Sequence, residues 1–565
     1  MEHLGALQHL EVLRALVAPY MPAALTEATA SLRALRSCTV HCPSAQAALL
    51  EAGAPALLAG VLTSEALRSA PSAPTPLFRR VAWQALANLC AGHGPCQAAV
   101  WEAITAPSGG GGGGQCALEC GATASASDAA LASVVLGVAY TASCSACYGS
   151  DAASAASDGA AAACAARLER LCQHPVLLPA LLRPCLPALG GDGGSAAPTA
   201  AAADVGLWCG LLSGALLRSG HFALALQAAS RGLAAGELLA PAGAAPTPPP
   251  ASAGHDLRTP LRWRVTAEST ALVCATEAEL EGARAPQTAL LAPGLIASIP
   301  ALSHFLTDAC TQALAMAALL HGDGSSSSSS GGVDSGPLLL LPRLHLGLCL
   351  RAAEAAAGLL ADACSASAAA QEDGGGAGSA AAAAAAQPAL PSGTVASLLS
   401  LLAAATPLIS SATAAPLETA AAADVCASAG GAASAPLPAS PPPPPTASAM
   451  QPFLAPAAAL FARRLPSPPP PALRTALVRA LAHALHGEPG RVCRKEALEA
   501  GGVPVLLAQT KMDGESITLR EWTLLGLKHW CEGQGEEAEL VRACVQAVRD
   551  GAASAHAREL PQGVE

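Results

Sequence analysis

Aromatic residues make up only 2% of this 565-residue chain and charged residues only 13%. A surface that tracks nucleic-acid phosphates needs clustered Lys and Arg. Here there are three lysines, Lys495, Lys511 and Lys528, and the formal charge is −11, so nucleic acid is not expected as a partner. Long apolar runs are also missing. The best, residues 129–142 and 337–350, reach 14 residues, against the ~20 that span a bilayer, and the second is broken by Arg343. No membrane-spanning helix and no membrane partner are therefore expected. The opening Met1-Glu2-His3-Leu4-Gly5-Ala6-Leu7 has no basic segment ahead of an apolar core, so no secretory signal is expected either. Strand-like alternation of β-branched residues is absent, as are the G-x-x-x-x-G-K-[ST], H-E-x-x-H and G-x-S-x-G motifs. A G-x-G-x-x-G match at Gly109, Gly111 and Gly114 lies inside a glycine homopolymer, after a helical stretch rather than a strand, and carries no nucleotide-binding signal.

Alanine, glycine (53 residues) and proline (46) are abundant instead. Low-complexity tracts at 109–114 (Gly), 325–330 (Ser), 380–386 (Ala), 441–445 and 468–471 (Pro) read as disordered surface insertions and spacers between helices. Charge density divides the chain: 24 of the last 93 residues are charged, close to the ~25% of ordinary globular domains, against 47 of the preceding 472. The expected organisation is N-terminal armadillo-like helical repeats at 1–106 and a Gly-rich linker at 107–130. Degenerate helical repeats follow at 131–365, with insertions at about 240–256 and 322–336. A low-complexity Ala/Pro/Ser region with a short helix spans 366–451, and a helical C-terminal domain spans 452–565.

The most informative feature is a repeat. Leu50-Glu51-Ala52-Gly53-Ala54-Pro55-Ala56-Leu57-Leu58-Ala59 is echoed by Leu498-Glu499-Ala500-Gly501-Gly502-Val503-Pro504-Val505-Leu506-Leu507-Ala508. Downstream, Phe78-Arg79 and Leu86-Ala87-Asn88-Leu89-Cys90-Ala91-Gly92 answer Leu519-Arg520 and Leu527-Lys528-His529-Trp530-Cys531-Glu532-Gly533. Each unit approaches the ~40–47 residues of armadillo and HEAT repeats, which bury their apolar faces only by stacking into a solenoid. The fold class expected is all-α, an armadillo-like α-solenoid with long disordered low-complexity insertions.

Helical spacing of Leu and Ala marks 168–189, 205–239, 261–280 and 338–363, the first cut into short pieces by Pro175, Pro179, Pro184 and Pro187. Leu473, Leu477, Leu481 and Leu485 define an amphipathic helix ending near Gly487, with Arg474, Arg479 and His486 on its other faces. A short helix from 492 stops at Gly501-Gly502, and Pro504 suits the first turn of the next. Thr518 and Glu521 read as a capping box. The helix they open carries Leu519, Trp522, Leu524, Leu525, Leu527 and Trp530 around most of its circumference, the pattern of a helix buried between others.

The C-terminal segment resembles the ataxin-10 family. Glu499-Ala500-Gly501-Gly502-Val503-Pro504-Val505-Leu506-Leu507 is similar to that family's E-x-G-G-I-P-x-L-L turn and helix. Arg520-Glu521-Trp522-Thr523-Leu524-Leu525-Gly526-Leu527-Lys528-His529-Trp530-Cys531-Glu532-Gly533 is similar to its [KR]-E-W-A-[IL]-x-A-[IL]-[KR]-N-L-x-E-G signature, departing at His529-Trp530, where the family has Asn-Leu. The resemblance covers roughly sixty residues. It implies a cytoplasmic, non-enzymatic scaffold that binds other proteins, without cofactor or metal; self-association into a homo-oligomer is compatible with it. Fungal relatives named for copper transport supply the rival reading, a metal-handling or redox protein using Cys.

The 20 cysteines are scattered over helix faces, where reduced thiols behave as small buried hydrophobes. Cys144-Ser145-Ala146-Cys147 is a CxxC without the strand that redox chemistry needs before it, and Cys38 with Cys42 and Cys116 with Cys120 lack a following His pair for zinc. An importin-like peptide carrier is a third reading. It rests on Asn88, the chain's only asparagine, and on Trp83, since the ladder of such carriers pairs a third-helix Asn with a Trp four residues earlier. The residues expected to face a partner are Arg79, Trp83, Asn88, Arg520, Glu521, Lys528 and His529.

Overall fold

A computed structural model describes residues 2–17, 24–40, 42–65, 67, 74–108, 115–148, 158–185, 199–231, 263–283, 285–322, 340–373, 390–406, 465–466, 469–470, 472–487, 490–510, 517–532, 538–543 and 545–546. The tracts at 109–114, 325–330, 380–386 and 441–445 lie outside these residues, as do 468 and 471 and the stretch 240–256. Among the described residues the fold is all-α, with no strand and one isolated bridge, Pro107 to Cys116. Two compact units divide the chain at Ser298/Ile299, inside the stretch expected as degenerate repeats.

The first unit holds α1 (Glu2–Val17), α2 (Leu25–Thr39), α3 (Pro43–Glu51), α4 (Ala54–Thr63), α5 (Pro74–Cys90), α6 (Gly94–Thr105) and α7 (Ala117–Ala124). It continues with α8 (Ala129–Tyr148), α9 (Asp158–Gln173), α10 (Leu177–Leu182), α11 (Ala200–Arg218), α12 (Phe222–Ala229), α13 (Ala267–Gly282) and α14 (Ala285–Ala297). Its long helices pack in chain order, α1 on α2, α2 on α5, α5 on α8, α8 on α11 and α11 on α13. In the second unit α15 (Ile299–Gly322) packs on α16 (Leu340–Asp373), α16 on α18 (Leu473–Ala484) and α18 on α21 (Ile517–Glu532). The shorter α17 (Thr394–Ala405), α19 (Gly490–Glu499) and α20 (Gly502–Gln509) fill in beside them.

Both copies of the sequence echo fold the same way. A short helix ends at a glycine in the left-handed region, Gly53 at φ 77° and Gly501 at φ 75°, where an L side chain would be strained. A second helix follows with proline in its first turn, and then a long helix, α5 or α21. Leu473, Leu477, Leu481 and Leu485 are all buried.

Several expectations are corrected. Helix α7 occupies the stretch expected to be linker, because Cys116 caps it by accepting the Glu119 N–H. Helix α21 begins at Ile517, so Thr518 lies within its first turn rather than capping it. Leu524 is 48% exposed, whereas Leu519, Leu527 and Trp530 are buried, so α21 keeps one face open. Arg474, set apart from the leucine stripe, is nevertheless buried: its guanidinium donates to Gln509 Oε1 at 2.8 Å, and Gln509 in turn donates to Thr406 Oγ1 at 2.8 Å.

Uninterrupted apolar runs also understate helix length. Ala200–Arg218 (19 residues, mean hydropathy 1.6) and Arg343–Ala370 (28 residues, 1.3) are long and apolar enough to cross a membrane by length and composition. Alanine and glycine carry the apolar character past the breaks that ended each run. Half of the first window and 67% of the second are buried within the protein.

Candidate functional site

Spacing of four places Arg79 and Trp83 on one face of α5. They line a cleft of about 220 Å³ with Gln115, Cys120, Gly121 and Thr123, closed by Leu62 and Leu131. Arg79 Nη2 donates to the Leu67 carbonyl at 2.6 Å, which holds the guanidinium along the cleft wall. Trp83 is 1% exposed, and its indole lies flush on Gly121, where an added Cβ would come within 2.8 Å of Cε2 and closer to Cζ2. Trp83 is therefore mostly core, with an edge toward the cleft.

Asn88 points elsewhere. Its Nδ2 donates to the Arg36 carbonyl at 2.9 Å, and its own carbonyl accepts from Gln46 Nε2 at 2.7 Å. Gln46 also donates to the Ala91 carbonyl at 2.9 Å, so these two amides rivet α2, α3 and α5 together. A polar side chain satisfied in this way is committed to the fold.

In the second unit Arg520, Glu521, Leu524 and Lys528 share the exposed face of α21. Lys528 pairs with Glu532 at 3.6 Å, and both ends are more than half exposed; such a pair contributes little to stability. His529 turns inward instead. Its Nδ1 lies 3.0 Å from the Ala482 carbonyl, so that nitrogen carries the proton, and its ring meets that of His486 at 4.4 Å. Trp522 sits half-buried beneath the Arg479 guanidinium, 5.5 Å from the ring centroid, with His483 at 5.4 Å on the same ring. Arg479 is tied in turn to Asp362 of α16.

This polar seam escaped the sequence reading, which set Arg479 and His486 only on faces away from the leucine stripe. The signal was there: positions 479 and 483 share one stripe of α18, 486 lies in the turn that follows, and 522 and 529 share one stripe of α21. Burial, the Arg479 cation and the neighbouring His529 and His486 push the His483 pKa down to about 4, in that order of weight. Burial also lowers His529, against the opposing pull of its bond to Ala482.

The cysteines behave as packing groups. None of the 17 described cysteines is in a disulfide; 12 are buried and five half-buried. Cys144 donates to the Tyr140 carbonyl at 3.1 Å, and the side chain of Cys147 lies outside the described residues. Burial raises Cys96 and Cys493 to about 11 and Cys172 and Cys349 to about 12. Cys90 and Cys310 are pushed higher still. Such thiols stay protonated at neutral pH, the reverse of what a nucleophile needs. Among the described residues no three or more His, Cys, Asp or Glu side chains cluster as a metal site would require. No family model and no curated protein matches this chain.

Proposed function

We propose that this chain is a non-enzymatic, armadillo-like α-solenoid scaffold of the ataxin-10 type that binds partner proteins. The observation that carries this is the doubled unit. Two distant segments share a sequence echo and the same succession of short helix, left-handed glycine, proline-opened helix and long helix. The chain-order packing of long helices within each unit supports stacking of such units into a solenoid. Solenoids present extended surfaces suited to macromolecules rather than enclosed pockets suited to chemistry. The open face of α21, with Arg520, Glu521, Leu524 and Lys528, is the surface best placed to take a protein partner in the second unit. A reducing, cytoplasmic setting belongs to the same proposal, since free thiols buried as packing groups need no oxidising compartment.

The test is affinity capture with quantitative mass spectrometry. It compares the wild-type chain with a variant carrying Arg520→Glu, Leu524→Asp and Lys528→Glu, positions whose exposure leaves the fold intact. A set of proteins retained by the wild type and lost by the variant is the expected result. Identical retention by both would remove α21 as the docking face, and stoichiometric metal in reductively purified protein would favour the metal-handling alternative.

A further inference from the structure

The seam between α18 and α21 gathers more imidazole than a packing contact requires. His483 and His486 come from α18 and the turn after it, and His529 comes from the last turn of α21. Their surroundings are cationic. Arg479 shares Trp522 with His483. Arg494 of α19 donates to the carbonyls of Leu485 and Gly487, each at 2.7 Å, on either side of His486. Lys528 stands next to His529 in the chain. Among the described residues, carboxylates of the helices packed here have partners: Asp362 of α16 pairs with Arg479, Glu532 with Lys528, and on α19 Glu496 accepts the Ala396 N–H while Glu499 pairs with Lys495. Helices α17 and α20, which also pack in this region, bring no ionisable side chain. Three features oppose this balance: the Ala482 carbonyl and the Glu532 carboxylate each favour charge on His529, and so do the helix ends. His483 and His529 lie in the last turns of their helices, where the dipole favours a cation, by about 0.3–1 kcal/mol at exposed sites.

We propose that this seam is an acid-sensitive latch: neutral imidazoles let α21 close on α18, and their protonation loosens α21, whatever protein its outer face binds. The physics is like-charge repulsion. Two rings 4.4 Å apart cannot both carry charge cheaply, and a third imidazolium, at His483, would stand beside the Arg479 cation. The bond from His529 Nδ1 to the Ala482 carbonyl survives protonation, so the opening is driven by the crowding of like charges and burial rather than by loss of that bond. The direction follows from linkage. A histidine held below its unfolded value leaves stability intact above pH ~6.5 and withdraws it as the pH falls toward the folded value. With His483 at about 4, lowering the pH to about 5 favours opening of the seam by roughly ten- to thirtyfold.

Hydrogen–deuterium exchange of the full chain, corrected for intrinsic rates, reads this opening at about pH 7.5 and about pH 5. Peptides from α21 are expected to lose roughly ten- to thirtyfold of their protection at the lower pH, while peptides from α5 in the other unit keep theirs. In His483→Gln/His486→Gln the acid loss is expected to shrink. Should that variant already lack protection at neutral pH, His483→Gln alone takes its place, because that ring is the one burial and Arg479 hold most strongly neutral. Wild-type α21 equally protected at both values overturns the latch, and so does an undiminished acid loss in the variant. Neither result bears on whether the outer face of α21 binds a partner, which the capture experiment decides separately.

Discussion

Replacing Gly121 by Ala sets two effects of opposite sign against each other, and the structure says which wins. In a helix interior Ala is favoured over Gly by about 1 kcal/mol. Gly60, an exposed glycine inside α4, has open space where its Cβ would go, so Gly60→Ala should show that gain nearly undiluted. At Gly121 the same methyl would lie 2.8 Å from Trp83 Cε2 and 3.0 Å from Nε1, and closer to Cζ2, all inside ordinary van der Waals contact. The obstacle is a rigid ring, 1% exposed and boxed in, not the free end of a flexible chain. Overpacking of this kind costs roughly 1–3 kcal/mol, and the rigidity of the ring puts Gly121 in the upper half of that range. The net expectation is a loss of about 1–2 kcal/mol for Gly121→Ala against a gain of up to about 1 for Gly60→Ala. Urea unfolding followed by tryptophan fluorescence measures both, and Trp83→Phe in the Gly121→Ala background should restore part of the loss, since the two sites touch and couple. If Gly121→Ala matches or exceeds the wild type while Gly60→Ala is stabilised, the ring is not pressed on the glycine and the account of this cleft fails.

Further outcomes follow from burial and hydrogen bonding. Leu527→Ala should cost about 2–5 kcal/mol by opening a core void, while Leu524→Ala on the exposed face should stay within about 0.5 kcal/mol; urea midpoints of the two variants compare them directly. Asn88→Ala should destabilise by about 1 kcal/mol through the lost bond to Arg36, without altering the partners captured, since the amide is spent inside the fold. Timed alkylation with mass spectrometry should label Cys38 and Cys42 in the native protein, whereas Cys90, Cys172, Cys310 and Cys349 should react only on unfolding. Early labelling of the second group would contradict the packing described for them.

Where the chain signals a stop, the sequence was legible. Gly53, Gly487 and Gly501 mark helix ends because a left-handed residue is a local, glycine-specific requirement. Four leucines at spacing four betrayed the buried stripe of α18 in the same way. Apolar residues on α21 were over-read: Leu524 is chemically identical to Leu527, and only the position of α18 decides which of the two is covered. The burial of Arg474 stayed hidden for the complementary reason. Its partners Gln509 and Thr406 lie 35 and about 70 residues away in opposite directions, and no pattern local to α18 announces them. Site residues fared likewise, since Arg79 and Trp83 share a cleft through periodicity, while the amide of Asn88 is claimed by a helix 52 residues upstream.

Scarce aromatics explain much of what remained hidden. In a core dominated by alanine and leucine each of the six tryptophans is an outsized object, and its volume must be found on a neighbouring helix. Glycine supplies it repeatedly: Gly121 under Trp83, Gly137 under Trp208, with a built Cβ 3.1 Å from the ring, and Gly502 under Trp530 at 3.3 Å. Interiors fill at near-crystalline density, so a large ring against a leucine-sized neighbour would force strain, and against an alanine-sized one still too much at the tightest of these sites. Both members of each pair sit on different helices, and neither is unusual alone. Glycine inside a helix normally lowers stability by about 1 kcal/mol relative to alanine, so its presence at Gly121 and Gly137 is explained by the ring it admits, whereas at Gly502 the Ala497 carbonyl, 2.8 Å from a built Cβ, is the tighter neighbour. The pairing Trp83–Gly121 also couples the cleft to the core: any ligand or substitution that shifts the indole must move α7 with it, because the ring and the Gly121 backbone leave no gap between them.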